Sequence, residues 1–194
     1  MLHKIVIIGP ESTGKSTLCQ QLATHYKNTW CPEYAREYLL KNGTSYTFDD
    51  LLTIARGQLE LESKHEQMLS EKILAPAKNS ARNKSEQLLP NDFLFIDTDQ
   101  YVMKVWCEFV FNQCHTWILN RIAERPYDLY LLCNIDLPWI KDDLREYPDE
   151  GPRIRLHHMY KDLLVNQSVP WVNISGDYSE RLAKAKAAIQ QHFT

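Results

Sequence analysis

The sequence predicts an α/β fold in which a predominantly parallel central sheet carries helices on both faces, a three-layer sandwich with a lid. Three observations predict it. Strand-like and helix-like stretches alternate along the chain, the order that a parallel sheet with right-handed helical crossovers requires. Phe93-Leu94-Phe95-Ile96 and Leu129-Tyr130-Leu131-Leu132 are apolar at every position, as strands covered on both faces are. Ile5-Val6-Ile7-Ile8 runs directly into Gly9-Pro10-Glu11-Ser12-Thr13-Gly14-Lys15-Ser16, which fills every fixed position of the phosphate-loop pattern G-x-x-x-x-G-K-[ST].

The elements follow in order. After the phosphate loop, Leu18, Leu22 and Ala23 recur at helical spacing from Lys15 to Tyr26. Thr29-Trp30-Cys31-Pro32 is short and extended, since a proline disfavours helix at the residue before it; Glu33 stands at its end. Tyr34 to Leu40 reads as a helix stopped by Asn42-Gly43. Thr47-Phe48-Asp49-Asp50 opens a long helix reaching about Leu74. Residues 75–92, polar and without periodicity between Pro76 and Pro90, predict a mobile loop inserted into one connection. Phe93 to Asp97 is the second strong strand, and Gln100 to Arg125 is mostly helical. Tyr127 to Cys133 gives a further strand, and Pro138 to Arg145 a helix with proline in its first turn. The segment Tyr147 to Pro152 breaks it, Arg153 and Arg155 follow, and Leu156, Met159, Tyr160, Leu163 and Leu164 mark another helix. Val169 to Ile174 is the last strand and Ser179 to Phe193 a terminal amphipathic helix.

The 194 residues suit one domain, with about 139–156 as its lid. A net charge of −3 without a basic stripe argues against a nucleic-acid partner. Five cysteines, never spaced C-x-x-C, read as reduced thiols, and His157-His158 and Cys114-His115 lack partners at metal-ligand spacing. Met1 to Lys4 leaves no room for a signal peptide before the first strand, and no apolar run spans a bilayer, so a cytoplasmic protein without membrane contact is expected.

Residues Gly9, Glu11, Ser12, Thr13, Gly14, Lys15, Ser16 and Thr17 form the candidate ATP site, where backbone N–H groups and a helix N-terminus converge on an anionic phosphate chain. Lys15 reaches the β- and γ-phosphates, and the Ser16 hydroxyl ligates Mg²⁺, which a strand-end acid, Asp97, holds from the other side. For Asp97 the competing reading is a cap on the next helix. Asp99, two residues on, points the same way if the strand continues. Glu33 ends a strand on the carboxyl edge of the sheet, where ligands bind, and suits the group that takes an acceptor's proton; an acid stabilising a helix N-terminus is the alternative. Arg145, Arg153 and Arg155 bracket the broken segment and read either as lid groups reaching a transferring phosphate or as a solvated face. Trp106, Phe109, Phe111 and Trp117 line a base pocket or fill a core.

Four blocks, Gly9 to Ser16, Pro32-Glu33-Tyr34-Ala35-Arg36-Glu37, Phe95-Ile96-Asp97-Thr98-Asp99 and Trp139 to Arg145, together resemble the ribosylnicotinamide kinase domain of NadR-type NAD-biosynthesis proteins, within the P-loop kinases. The resemblance implies a P-loop kinase-like fold and ATP-dependent, Mg²⁺-assisted phosphorylation of the 5′-hydroxyl of nicotinamide riboside, a small-molecule nucleoside, giving nicotinamide mononucleotide. It implies that Glu33 and Arg36 stand beside the substrate, Asp97 and Asp99 at metal and sugar, and Arg145 in the lid. With the reading of the residues themselves, the expected catalytic set is Lys15, Glu33, Asp99 and Arg145, the substrate set adds Tyr34 to Glu33, Arg36 and Asp99, the metal set is Ser16 and Asp97, and Arg153 joins the ATP site. Pro32 stands where some members carry tryptophan, and Asp143 where glycine is frequent. The machinery alone also suits a kinase for another nucleoside or small metabolite, or an ATPase switch in which water replaces the acceptor.

Overall fold

A computed structural model describes residues 2–74, 92–124 and 127–193, and the predicted loop insertion of 75–92 lies almost wholly outside them. Five strands, β1 (Leu2–Ile8), β2 (Thr29–Cys31), β3 (Asp92–Asp97), β4 (Leu129–Cys133) and β5 (Trp171–Ile174), form one sheet in the order β2-β3-β1-β4-β5. Every pairing is parallel, with Leu2 opposite Asp92, Val6 opposite Tyr130 and Cys133 opposite Ile174. Side-chain alternation then divides the core. Ile5, Ile7, Phe95 and Leu131 face α1 (Lys15–Tyr26) and α7 (Tyr178–Phe193); Val6, Ile8, Ile96 and Leu132 face the opposite helical layer. That layer is made by α3 (Phe48–Leu74), α4 (Gln100–Phe111) and α6 (Glu150–Val165). A third cluster joins α3 and α4 to α2 (Tyr34–Asn42) and α5 (Thr116–Glu124). The three-layer parallel architecture is the one the apolar strands predict.

Two predicted helices differ. The stretch Gln100 to Arg125 divides into α4 and α5 because Asn112 turns left-handed, φ 54°, and closes α4 with its N–H on the Glu108 carbonyl. Residues 138–145 do not form a helix: Asp142 accepts from the Leu144 N–H through its own carboxylate, and the Arg145 N–H closes a turn on the Asp142 carbonyl. A short acidic side chain there competes with the helical ladder and wins. Pro152 sits in the first turn of α6, where its missing N–H costs nothing, so the helix that carries Arg153 and Arg155 begins at Glu150.

After β5, at the same carboxyl edge of the sheet as the phosphate loop, a capping box starts α7. Asp177 accepts from the Ser179 and Glu180 N–H groups, and Glu180 reaches back to the Asp177 N–H at 2.8 Å.

Candidate active site

The phosphate loop follows β1 and opens α1. Gly9, φ 143°, passes so close to β4 that a Cβ would stand 2.7 Å from the Cys133 carbonyl oxygen. Gly14, φ 76°, caps α1 in a conformation that strains any L side chain, and a Cβ there would press on Leu137 at 3.0 Å and Tyr178 at 3.3 Å. Both positions therefore need glycine. The first turn of α1 contains no acid, so its free N–H groups present an uncompensated positive end. The Thr13 hydroxyl and the Lys15 ammonium both donate to the Pro10 carbonyl, at 2.7 and 2.9 Å, which folds Lys15 back along the loop.

Beside the loop, the Ser16 hydroxyl lies 2.5 Å from Asp97 Oδ2 at the end of β3. Asp97 is 1% exposed and its Oδ1 has no hydrogen-bond partner. Burial, and next the charge of Glu33, hold its carboxyl well above the usual carboxylate range; Lys15 and the Ser16 hydroxyl pull the other way. A hydroxyl and a buried carboxylate with a spare oxygen fit a hard divalent cation. Magnesium needs only such a partial set, because phosphate and water oxygens supply its remaining ligands.

One cavity runs from the phosphate loop into an apolar chamber, and Glu33 is among the residues that line it. The chamber takes Ala35, Arg36 and Leu39 from α2, Leu51 and Ile54 from α3, and Val102, Met103 and Trp106 from α4. Tyr46, between α2 and α3, joins them. Of the four aromatic residues with two readings, Trp106 alone lines this cavity; Phe111 packs on Tyr46 and Phe48, Trp117 lies near Arg56 and Arg121, and Phe109 touches Tyr147.

Residues 139–147 border the same cavity through Ile140, Leu144, Arg145 and Glu146. The segment is fastened on two sides. Ser12 Oγ accepts from the Ile140 N–H at 2.9 Å, and the Glu11 carboxylate accepts from the Glu146 and Tyr147 N–H groups at 3.0 and 2.6 Å. Across the chamber, Arg36 pairs with Asp142 at 2.8 Å and the Tyr46 hydroxyl meets Glu146 at 3.3 Å. Arg145 bonds the Ile140 carbonyl within the segment. Glu11 thus joins the phosphate loop to the neighbouring segment, in addition to lining the cavity.

Four candidate residues, Asp99, Tyr34, Arg153 and Arg155, stand elsewhere. Asp97 and Asp99 do not converge: Thr98 is left-handed, φ 72°, and breaks the strand alternation. Asp99 instead caps α4, accepting from the Tyr101 and Val102 N–H groups, and takes the Tyr130 hydroxyl at 2.8 Å on the opposite face of the sheet. Burial pushes its carboxyl up to about 7. Tyr34 does not line the cavity; its ring occupies the space a side chain at Gly57 of α3 would take, and Gln58 Oε1 accepts from its N–H at 2.7 Å. Arg153 is buried at 5% exposure outside the cavity lining, with Nε and Nη2 lacking hydrogen-bond partners. Arg155 lies over the Phe109 ring, 5.2 Å from its centre. Tyr46, Leu39, Leu51 and Ile54 carry no motif, and sequence reasoning passed over them; only their apolar periodicity marked α2 and α3 as faces that bury something.

The fold is that of a phosphate-loop protein, with a kinase-like parallel sheet. The chain belongs to the AAA domain family, whose model matches residues 4–181. It is similar to the trifunctional NAD biosynthesis/regulator protein NadR of Escherichia coli (strain K12), 24% identical over 98% of this chain and 42% of that protein, so it spans under half of that relative's length. Among solved structures it is similar to a NadR protein in complex with NR, TM-score 0.70 at 22% identity over 99% of this chain and 50% of the other. A NadR protein in complex with NAD and AMP-PNP gives a TM-score of 0.68 at 23% identity, covering 98% and 49%. Thymidylate kinase from Ehrlichia chaffeensis matches with a TM-score of 0.57 at 14% identity over 96% and 98%. The resemblance to NadR-type proteins carried by the four sequence blocks is thus met over nearly the whole chain.

Proposed function

We propose that the chain is a single kinase domain that transfers the terminal phosphate of ATP to the 5′-hydroxyl of nicotinamide riboside. The observation that carries the reading is the continuity of one cavity from the phosphate loop to an apolar, aromatic chamber, with Glu33 along its wall. A nucleotide-driven switch needs no such chamber. The likeness to NadR structures holding NR and AMP-PNP supports this acceptor and this donor.

In this reading Lys15 leaves the Pro10 carbonyl for the β- and γ-phosphates, and Glu33 orients the acceptor hydroxyl and receives its proton. Ser16 and Asp97 would hold Mg²⁺, which neutralises charge on the phosphates when bound. Arg36 and the chamber walls position the nucleoside. The 139–156 region acts as the lid, and Arg145 brings positive charge to the transferring group. Arg153, buried outside the cavity lining, has no part in this scheme. Asp99 has no part in this scheme, since its oxygens are engaged in the cap and with Tyr130.

A second reading has its own support. Two arginines, Arg36 and Arg145, face the chamber, and such a pair also suits an acceptor that already carries a phosphate, as thymidylate kinase's name implies for that protein. The test is a screen of acceptors with ATP and Mg²⁺: nicotinamide riboside, adenosine, uridine, deoxynucleosides and nucleoside monophosphates. Formation of nicotinamide mononucleotide at the highest kcat/KM is expected. Preference for a monophosphate would turn the assignment to the second reading, and ATP hydrolysis indifferent to every acceptor would end both.

A further inference from the structure

The phosphate loop is held from behind by a residue of the last helix. Arg181 lies one turn inside α7 and is 1% exposed, among the largest fully buried side chains of the protein. Its guanidinium makes contacts in four directions. Nη1 donates to the Thr13 carbonyl at 3.0 Å, Nη2 to the Asn134 carbonyl at 3.0 Å, Nε to the Gly176 carbonyl at 2.7 Å, and Nη2 also meets the Asp136 carboxylate. Asp136 in turn accepts from the Gly176 N–H at 2.6 Å. One side chain therefore ties together the phosphate loop, the turn after β4 and the turn after β5. Among the described residues Asp136 is its acidic partner, three acceptors are backbone carbonyls, and the buried Cys133 sulfur lies within hydrogen-bond reach as well.

The Thr13 contact has a directional consequence. The peptide linking Thr13 to Gly14 is planar and trans, so its carbonyl and its N–H point in opposite directions. A guanidinium that holds the Thr13 carbonyl toward α7 aims the Gly14 N–H away from α7, toward the concave side of the loop. Positive charge at the carbonyl oxygen also polarises that amide and strengthens its N–H as a donor. Gly14, with φ 76°, has little backbone resistance to rotation of this peptide, so the direction needs an external hold.

We propose that Arg181 is a positioning residue for phosphate binding: through the Thr13 carbonyl it orients the Gly14 amide toward the bound phosphate chain, with Asp136 holding the guanidinium in place. The inference rests on the reading that this loop holds the phosphates of ATP, and on nothing about the acceptor. Its test is binding, without turnover. Calorimetric affinity for ADP and for inorganic tripolyphosphate is measured on wild type, Arg181→Met, Arg181→Lys and Asp136→Ala, beside each protein's unliganded melting midpoint. Arg181→Met is expected to weaken both ligands about tenfold or more, the scale of one charge-assisted hydrogen bond. Arg181→Lys, which can still place one donor on the Thr13 carbonyl, recovers part of the loss. Asp136→Ala, altered at a half-solvated carboxylate, weakens both ligands by a smaller factor.

A wild type that binds neither ligand removes the ATP reading itself. Wild-type affinity in the folded variants, whatever their midpoints, overturns the positioning role and leaves Arg181 as a fastening for α7. If neither Arg181 variant folds, unchanged tripolyphosphate affinity in Asp136→Ala overturns the proposal in the same way.

Discussion

At the scale of single residues, the phosphate site rests on atoms whose neighbours are close in sequence, and it was legible for that reason. Gly9 to Ser16 needs only its own spacing and the strand before it. Lys15→Ala should leave less than about a tenth of wild-type kcat/KM with the fold retained, because its ammonium touches the Pro10 carbonyl and no part of the core. Higher residual turnover, with circular dichroism unchanged, would deny the lysine its phosphate contact. Glu33→Gln keeps the shape but cannot accept a proton, so kcat should fall on the order of a hundredfold at saturating ATP. A wild-type rate in that variant would leave the proton to solvent, since both Asp99 oxygens are engaged, one in the α4 cap and one with the Tyr130 hydroxyl. The misplacement of Asp99 has a local cause: a threonine in the left-handed region is not foreseeable from the pattern I-D-T-D, and it moves the carboxylate from one layer to the other. Arg181 was illegible for a different reason. Three of its contacts are to backbone carbonyls, which leave no signature in the residues that carry them.

At the scale of elements, periodicity located nearly every helix and strand, and the errors fall where a few polar side chains override it. Asn112 ended one helix, and Asp142 prevented another. The packing of α2 on α3 supplies a sharper test of what positions the acceptor side. Gly57 lies under the Tyr34 ring, and a methyl group there would overlap it. Helix propensity favours Gly57→Ala by about 1 kcal/mol. Overpacking against a ring that cannot retreat without moving α2 costs typically 1–3 kcal/mol. A net destabilisation of about 1 kcal/mol in urea unfolding is expected, together with a raised KM for the acceptor, because Glu33 and Arg36 travel with α2. Increased stability with an unchanged KM would mean that the ring swings aside freely and that α2 is placed by other contacts.

At the scale of the whole molecule, burial acts on histidines in one direction. His157, on α6 and half-buried, has its pKa lowered by burial and then by neighbouring His158; His25 and His65 are lowered by burial as well. Protonation is then harder in the folded protein than in the unfolded chain, where histidine titrates near 6.5. The stability these groups contribute is complete above about pH 6.5 and is lost as pH falls through their depressed values. Wild type should therefore lose more melting temperature between pH 7.5 and pH 5 than His157→Gln does, and parallel curves would acquit His157. The sheet order has a consequence for how the chain reaches this state at all. The central strand β1 precedes both of its neighbours by a long stretch of chain, Leu2 opposite Asp92 and Val6 opposite Tyr130. At the usual pace of a ribosome, Ile5 to Ile8 waits roughly 5 to 20 s for β3 to emerge and longer for β4. During that interval Ile5 to Ile8 has no ladder partner, and α1 can cover only the Ile5 and Ile7 face. Assembly cannot nucleate on a local hairpin and must close a long loop before the sheet stabilises anything, so this fold belongs with the slow folders and has most need of a chaperone while it is still being made.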